Sequence, residues 1–155
     1  MNSKQMLRVR PAIAADLPTM MEIATHSAAA AQWKQEEYAR LFRLEAAQDR
    51  MALVIEENGM VVGFVVARQI DVEWEIENIA VSGAARRRGL GTRLLGEFIE
   101  LARSRGGKTI FLEVRESNAA AKILYEKWAF QETGRRKSYY QDPEEDARIF
   151  RLSLG

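Results

Sequence analysis

The chain has 155 residues, 47% of them apolar and 29% charged, and a formal net charge of +1. That length suits one domain that buries about two-thirds of its unfolded surface, and the composition excludes disordered, collagen-like and fibrous proteins. So small a charge argues against coating nucleic acid or an anionic membrane, while the absence of cysteine and a single histidine, His26, exclude disulfides and thiol catalysis and predict no metal site.

Met1 to Arg10 lacks the apolar centre of a signal peptide, and no stretch reaches the ~20 apolar residues of a membrane helix. The expectation is a soluble, cytoplasmic protein. Asp16-Leu17-Pro18 reads as a helix start, with aspartate as cap and proline in the first turn, and Leu17, Met20, Met21 and Ile23 continue it to about His26. Glu36 to Glu45 carries a second apolar stripe through Tyr38, Leu41, Phe42 and Leu44. Between them, Ser27 to Lys34 has no clear period.

Met51 to Glu57 and Val61 to Ile70 read as strands joined by the tight-turn pair Asn58-Gly59. Glu73 to Val81 is a third strand. A helix follows from about Gly91 to Arg105, with Leu94, Leu95, Phe98, Ile99 and Ala102 on one face and Gly106-Gly107 as its stop. Thr109 to Arg115 is a buried strand, Ser117 caps a helix through Trp128, and Phe130 to Arg136 and Ala147 to Leu154 close the chain as strands. A strand–helix–strand unit among hairpins predicts a mixed α/β sheet with at least one parallel pair.

Arg86-Arg87-Arg88-Gly89-Leu90-Gly91 lies between a strand and a helix. Glycines allow close backbone approach, and the unpaired amides and positive dipole end of a helix start attract anions. The pattern is neither a Walker loop nor a full dinucleotide fingerprint. By itself it is equally a solvated basic loop, and no interleaved aromatics support a nucleic-acid patch.

With the preceding Asn78-Ile79-Ala80-Val81, the stretch Arg86-x-x-Gly89-x-Gly91 resembles the acetyl-CoA loop of the GNAT N-acetyltransferases. The resemblance spans Arg8 to Leu154 and implies one GNAT domain over residues 1–155: an α/β fold with a central mixed, mostly antiparallel sheet and a splayed parallel strand pair flanked by helices. It implies acetyl-CoA as cosubstrate. Backbone of Ile79, Ala80 and Val81 would bind the pantetheine arm, and Arg86, Arg87, Arg88, Gly89, Leu90, Gly91 and Thr92 the pyrophosphate.

Leu112-Glu113-Val114-Arg115-x-Ser117-Asn118-x-Ala120-Ala121 with Leu124-Tyr125, then Arg136 and Tyr139-Tyr140, resembles the RimI type within that family, which acetylates the N-terminal alanine of a small-subunit ribosomal protein. The resemblance implies Glu113 as base, Tyr125 as acid and Asn118 as a cofactor contact. Acyl transfer from a thioester to an amine needs those two proton movements, and a tyrosine of pKa near 10 can serve a thiolate whose conjugate acid lies near 8.5. Read without the family, Glu113 is an exposed strand carboxylate and Tyr125 a core aromatic. Glu77 and Glu75, on the neighbouring strand, are rival bases. The family generally has glycine where Ala129 stands.

An α-amino group, pKa near 7.7–8.0, is deprotonated at neutral pH for about 1 kcal/mol, against roughly 4–5 for lysine. The substrate expected is therefore a protein N-terminus. Glu73, Glu75 and Glu77 would meet a basic peptide or form one solvated strand face. Tyr139 and Tyr140 would grip the peptide or pack at a sheet edge, and Trp33 would line the cleft or anchor its loop. A small-amine acetyltransferase and a non-catalytic acyl-CoA-binding module remain as alternatives.

Overall fold

Leu7 and Val9 alternate with Arg8 and Arg10, and this period-two stretch forms an edge strand, β1 (Leu7–Pro11), that the reading above did not assign. The computed structural model describes residues 6–27, 30–43, 49–85 and 89–155. A short turn of 3-10 helix over Ala14–Asp16 leads into α1 (Leu17–Thr25), and α2 (Gln35–Arg40) follows. Then come β2 (Arg50–Glu57), β3 (Met60–Ile70), β4 (Glu73–Val81), α3 (Leu90–Ser104), β5 (Thr109–Arg115), α4 (Ala119–Lys127), β6 (Gln131–Tyr140) and β7 (Glu145–Ser153). The seven strands form one sheet in the order β1-β2-β3-β4-β5-β7-β6. Among the described residues only β4 and β5 run parallel, and the other pairings are antiparallel.

Side-chain alternation assigns each strand two faces, and both are covered. On one, Trp74, Ile76, Ile110 and Leu112 meet Leu94, Leu95 and Phe98 of α3 and Tyr125 of α4. On the other, Val54, Phe64, Val66 and Ala80 meet Met20 and Ile23 of α1 and Tyr38 of α2. Each fully buried Leu, Ile or Phe contributes about 1.5–3 kcal/mol, so these two layers hold the sheet rigid.

Local chemistry moves several boundaries. Asp16 stands at the helix start, yet its carboxylate accepts from the Ile13 N–H (2.8 Å) and from Arg10 rather than capping α1. The second helix ends at Arg40 and the chain turns through Leu41 to Arg43, because Leu41 is buried there; residues 44–48, where Leu44 and Glu45 fall, lie outside the described residues. The cap of α4 is Asn118, whose Oδ1 accepts from the Ala121 N–H at 3.1 Å, in place of Ser117. Strand β6 runs on to Tyr140 through an irregularity between Arg136 and Tyr140, where Ser138 takes φ 54° and donates its N–H to Asp146 (2.7 Å). No helix among the described residues is long and apolar enough to cross a membrane.

Candidate active site

Strands β4 and β5 pair from Glu73 opposite Thr109 to Ile76 opposite Leu112, and there the pairing ends. Beyond it β4 stays with β3 as far as Val81, and β5 stays with β7 as far as Arg115. The two parallel strands therefore part and leave a wedge in the middle of the sheet. The register against β3 shifts at the same place: Asn78 faces Val66 but Ile76 faces Ala67, so Glu77 is an extra residue, a β-bulge. Strict alternation would put Glu75 and Glu77 on one face and Asn78 on the other. The bulge puts Asn78 on the α1–α2 side as well, and Ile79 returns to the α3 side.

At the end of β4 the chain turns into α3. Gly89, the residue before the helix, has φ 76° and ψ 13°, a left-handed conformation that suits glycine. Helix geometry leaves the amides of Leu90, Gly91 and Thr92 without intrahelical acceptors, while the Arg93 N–H already reaches Gly89 O at 3.0 Å. Gly91 lies beside Val81, so the helix start adjoins the far end of the wedge. The side chain of Leu90 is in the core, which leaves its backbone for any ligand. Arg86, Arg87 and Arg88 lie outside the described residues.

A cleft of about 660 Å³ opens at the wedge. Glu113, Asn118, Ala121 and Tyr125 line it from β5 and α4, Ile79, Glu75 and Glu77 from β4, Trp33 from the α1–α2 connection, and Tyr139 and Tyr140 from β6. Ile79 has its side chain in the core, so its backbone is what it offers the cleft. Ala80, Val81, Gly89, Leu90, Gly91 and Thr92 are not among the lining residues; they continue from the cleft along β4 to the start of α3.

Glu113, Glu77 and Glu75 each have an arginine. Arg136 Nε is 2.9 Å from Glu113, Arg50 is 3.4 Å from Glu77, and Arg68 is 3.8 Å from Glu75. The sequence marked Arg136, on β6, only within the family resemblance and not as the partner of Glu113; Arg50 and Arg68, which face each other on β2 and β3, were not singled out. Burial raises the pKa of both Glu75 and Glu77; the charges of Glu77 and Glu113 push Glu75 further, while Arg50 and Arg68 hold Glu77 back. One oxygen of Glu77, Oε1, is buried and has no hydrogen-bond partner among the described residues.

Tyr125 is 4% exposed and packs edge-on against Phe130 at 5.6 Å. Burial, with a smaller push from Tyr140, raises its pKa well above the ordinary tyrosine value. The phenol thus stays protonated and is a poorer acid than an isolated tyrosine, which favours a hydrogen bond to a departing sulfur over early proton release. Tyr139 and Tyr140 meet edge to face at 5.1 Å, with Arg136 over the first ring and Arg115 over the second. Burial and then the charge of Glu113 raise both, Tyr140 to about 12.

A strand parted from its parallel neighbour beside a glycine-led helix start matches what the sequence of Asn78 to Thr92 resembles. The profile of the acetyltransferase (GNAT) family matches residues 17–130. The chain belongs to the GNAT family. It is an acetyl-CoA-dependent acyltransferase with the GNAT fold, a seven-stranded mixed sheet holding one parallel pair and flanked by helices. The curated [ribosomal protein bS18]-alanine N-acetyltransferase of Escherichia coli strain K12 is 35% identical over 142 residues, 90% of this chain and 93% of that protein. N-alpha-acetyltransferase RimI of Mycobacterium tuberculosis is 38% identical over 101 residues, 63% of this chain and 62% of that one. The crystal structure of the ribosomal-protein-S18-alanine N-acetyltransferase from Escherichia coli aligns with this GNAT chain at a TM-score of 0.85 and 32% identity, covering 97% of this chain and 95% of the other.

Proposed function

We propose that this GNAT enzyme moves the acetyl group of acetyl-CoA onto a protein N-terminal α-amino group, that of an alanine on a small-subunit ribosomal protein, and does so in the cytoplasm. The observation that carries the reading is the wedge between β4 and β5, which opens onto a cleft lined by both Glu113 and Tyr125. The relatives named for bS18 alanine acetylation, alike over nine-tenths of both chains, support the substrate.

In this reading the pyrophosphate rests on the amides of Gly89 to Thr92, with Arg86, Arg87 and Arg88 adding charge. The pantetheine follows the backbone of Ile79, Ala80 and Val81, and Asn118 faces it from the start of α4. Glu113, directly or through a water, takes a proton from the substrate ammonium. The freed nitrogen attacks the thioester carbonyl, a C–N bond forms, and the C–S bond breaks with its electron pair on sulfur. Tyr125 donates to that sulfur and supplies the proton that completes coenzyme A, and the second proton that the nitrogen sheds as the amide forms returns, directly or through a water, to the Tyr125 oxygen. Glu113 is preferred to Glu77 and Glu75 because it stands at the first β5 position past the end of pairing, and because its partner Arg136 is 55% exposed and free to swing aside. Glu77 is instead tied to Arg50, which is only 23% exposed. Trp33, Glu75, Glu77, Tyr139 and Tyr140 form the walls that receive the peptide.

The test is coenzyme A release with an alanine-initiated basic peptide, a polyamine and an amino-acid panel. Glu113→Gln and Tyr125→Phe are expected to lower kcat by about 10²–10⁴ while acetyl-CoA still binds. Full turnover in both variants removes the roles assigned here. A preference for polyamine or amino acid replaces the peptide substrate, and acetyl-CoA binding without turnover of any amine leaves a binding module.

A further inference from the structure

The bulge at Glu77 turns Asn78 to the α1–α2 side, where its side chain is enclosed: the residue is 3% exposed. Asn78 Oδ1 accepts the Ala31 N–H at 3.0 Å, and its Nδ2 donates to Ala31 O at 3.3 Å and to the Tyr38 hydroxyl at 3.3 Å. The amide pairs with the Ala31 peptide as a strand neighbour would, across 47 residues of sequence. Tyr38, 1% exposed, stacks edge-on against Trp33 at 5.3 Å and against Phe64 at 6.3 Å. Ala31 and Trp33 line the cleft. The α1–α2 connection has neither helix nor strand at Ala31 to Lys34; side-chain contacts hold it, those of Asn78 together with Gln32 Nε2, which donates to Ala24 O at 2.9 Å, and the packing of Trp33 on Tyr38.

We infer that Asn78 is a positioning residue for substrate recognition: by pinning Ala31 and Tyr38 it fixes Trp33 and its loop as the wall against which the substrate's first residue is read. This rests on reading the cleft as a peptide site. An apolar residue of the same volume would fill the space but leave the Ala31 N–H and C=O without these partners, and each buried group left unsatisfied is costly. Asn78 also precedes Ile79 on the parted half of β4. One stretch of strand therefore sets both the proposed path of the acetyl donor and the wall facing the acceptor, which keeps the two in register.

The experiment is steady-state kinetics of Asn78→Ala with peptides beginning in alanine or leucine, alongside amide hydrogen exchange at Ala31. KM for the alanine peptide should rise about tenfold or more, as loss of buried hydrogen bonds implies. The preference for alanine over leucine should shrink, while kcat at saturating peptide and KM for acetyl-CoA stay within about threefold. Ala31 exchange should speed up. The double variant Asn78→Ala/Trp33→Ala should be no worse than the worse single one, since both act through the same wall. Tyr38→Phe keeps the ring, shows the same KM effect at smaller size, and carries the test if Asn78→Ala does not fold. Additive losses, an unchanged peptide KM, unchanged exchange at Ala31, or equal falls in kcat and in both substrates' binding would overturn the inference. If the parent enzyme acetylates no peptide at all, the proposed substrate fails, and faster exchange at Ala31 still reports the pinning.

Discussion

Glu75 lies between Glu77 and Glu113, with Arg68 3.8 Å away. Burial raises its pKa first, and two neighbouring carboxylates add to the rise. A carboxyl raised in the folded state contributes its stability below the unfolded value, 4.5, and that contribution is lost as pH climbs through the raised one. Glu75→Gln, neutral at every pH, should therefore be more stable than the parent at pH 7–8, and the difference should close as pH falls below about 4.5. Thermal unfolding at pH 4 and pH 8 checks this; a gap that widens in acid contradicts the sign. Tyr125→Phe keeps the ring against Phe130 and Phe150, so its cost belongs to turnover and its melting temperature should stay near the parent's.

At the end of α4 the Ala129 N–H reaches Glu126 O at 3.0 Å and the Phe130 N–H reaches Tyr125 O at 3.0 Å, the paired bonds of a Schellman close. That close needs a left-handed residue, and Ala129 holds φ 65°. A left-handed alanine costs roughly 1–2 kcal/mol, so Ala129→Gly should raise stability by about 1 kcal/mol in denaturant melts, after the greater freedom glycine gains on unfolding. At the other edge Arg10 grips both oxygens of Asp16 (2.8 and 2.9 Å) and one of Glu56 (2.9 Å), tying β1 to β2 and to the start of α1. Asp16 is 7% exposed, and Arg10→Ala would leave that charge buried alone, a loss of about 3 kcal/mol. The Arg10 hydrogen bond holds Asp16 below 3.8, so the parent keeps this stability above that value and loses it in stronger acid. In Arg10→Ala that acid-side loss should be missing from the unfolding profile.

Across the whole molecule, the proposed donor path runs from the cleft at Glu113, along the parted half of β4, to the first turn of α3. A ligand along it bridges β4, the start of α3 and the start of α4, which are far apart in sequence, and it binds only the folded chain. Coenzyme A at 100 times its Kd should add about 2.7 kcal/mol, or roughly 5–10 °C in Tm for a domain of this size. With a net charge of only +1, the attraction for a polyanion must come from the loop itself. Affinity should then weaken as salt screens the arginines. Titration in low and high salt reads this directly, and no thermal shift with coenzyme A would remove the loop from the donor path.

Period and punctuation in the sequence determined most of the elements: β4 and β5 run from Glu73 to Val81 and from Thr109 to Arg115, as alternation and flanking glycines predict. They also marked Gly89 as a backbone exception, while the family resemblance is what marked Glu113, Asn118 and Tyr125. Those signals are local, fixed within a few residues by side-chain branching, turn chemistry and spacing. β1 was legible in the same way, yet five residues alternating with arginine are too short a signal to stand out. Tertiary structure alone decided the bulge at Glu77, the parting of β4 from β5, the arginines at Glu113, Glu77 and Glu75 and the burial that makes Tyr125 a weaker acid. The Glu113–Arg136 and Glu77–Arg50 pairs and the parting of β4 from β5 join residues more than 20 positions apart, and the bulge at Glu77 and the Arg68–Glu75 pair, though nearer in sequence, depend on how strands pair; register and desolvation are properties of the assembled sheet, not of any segment within it.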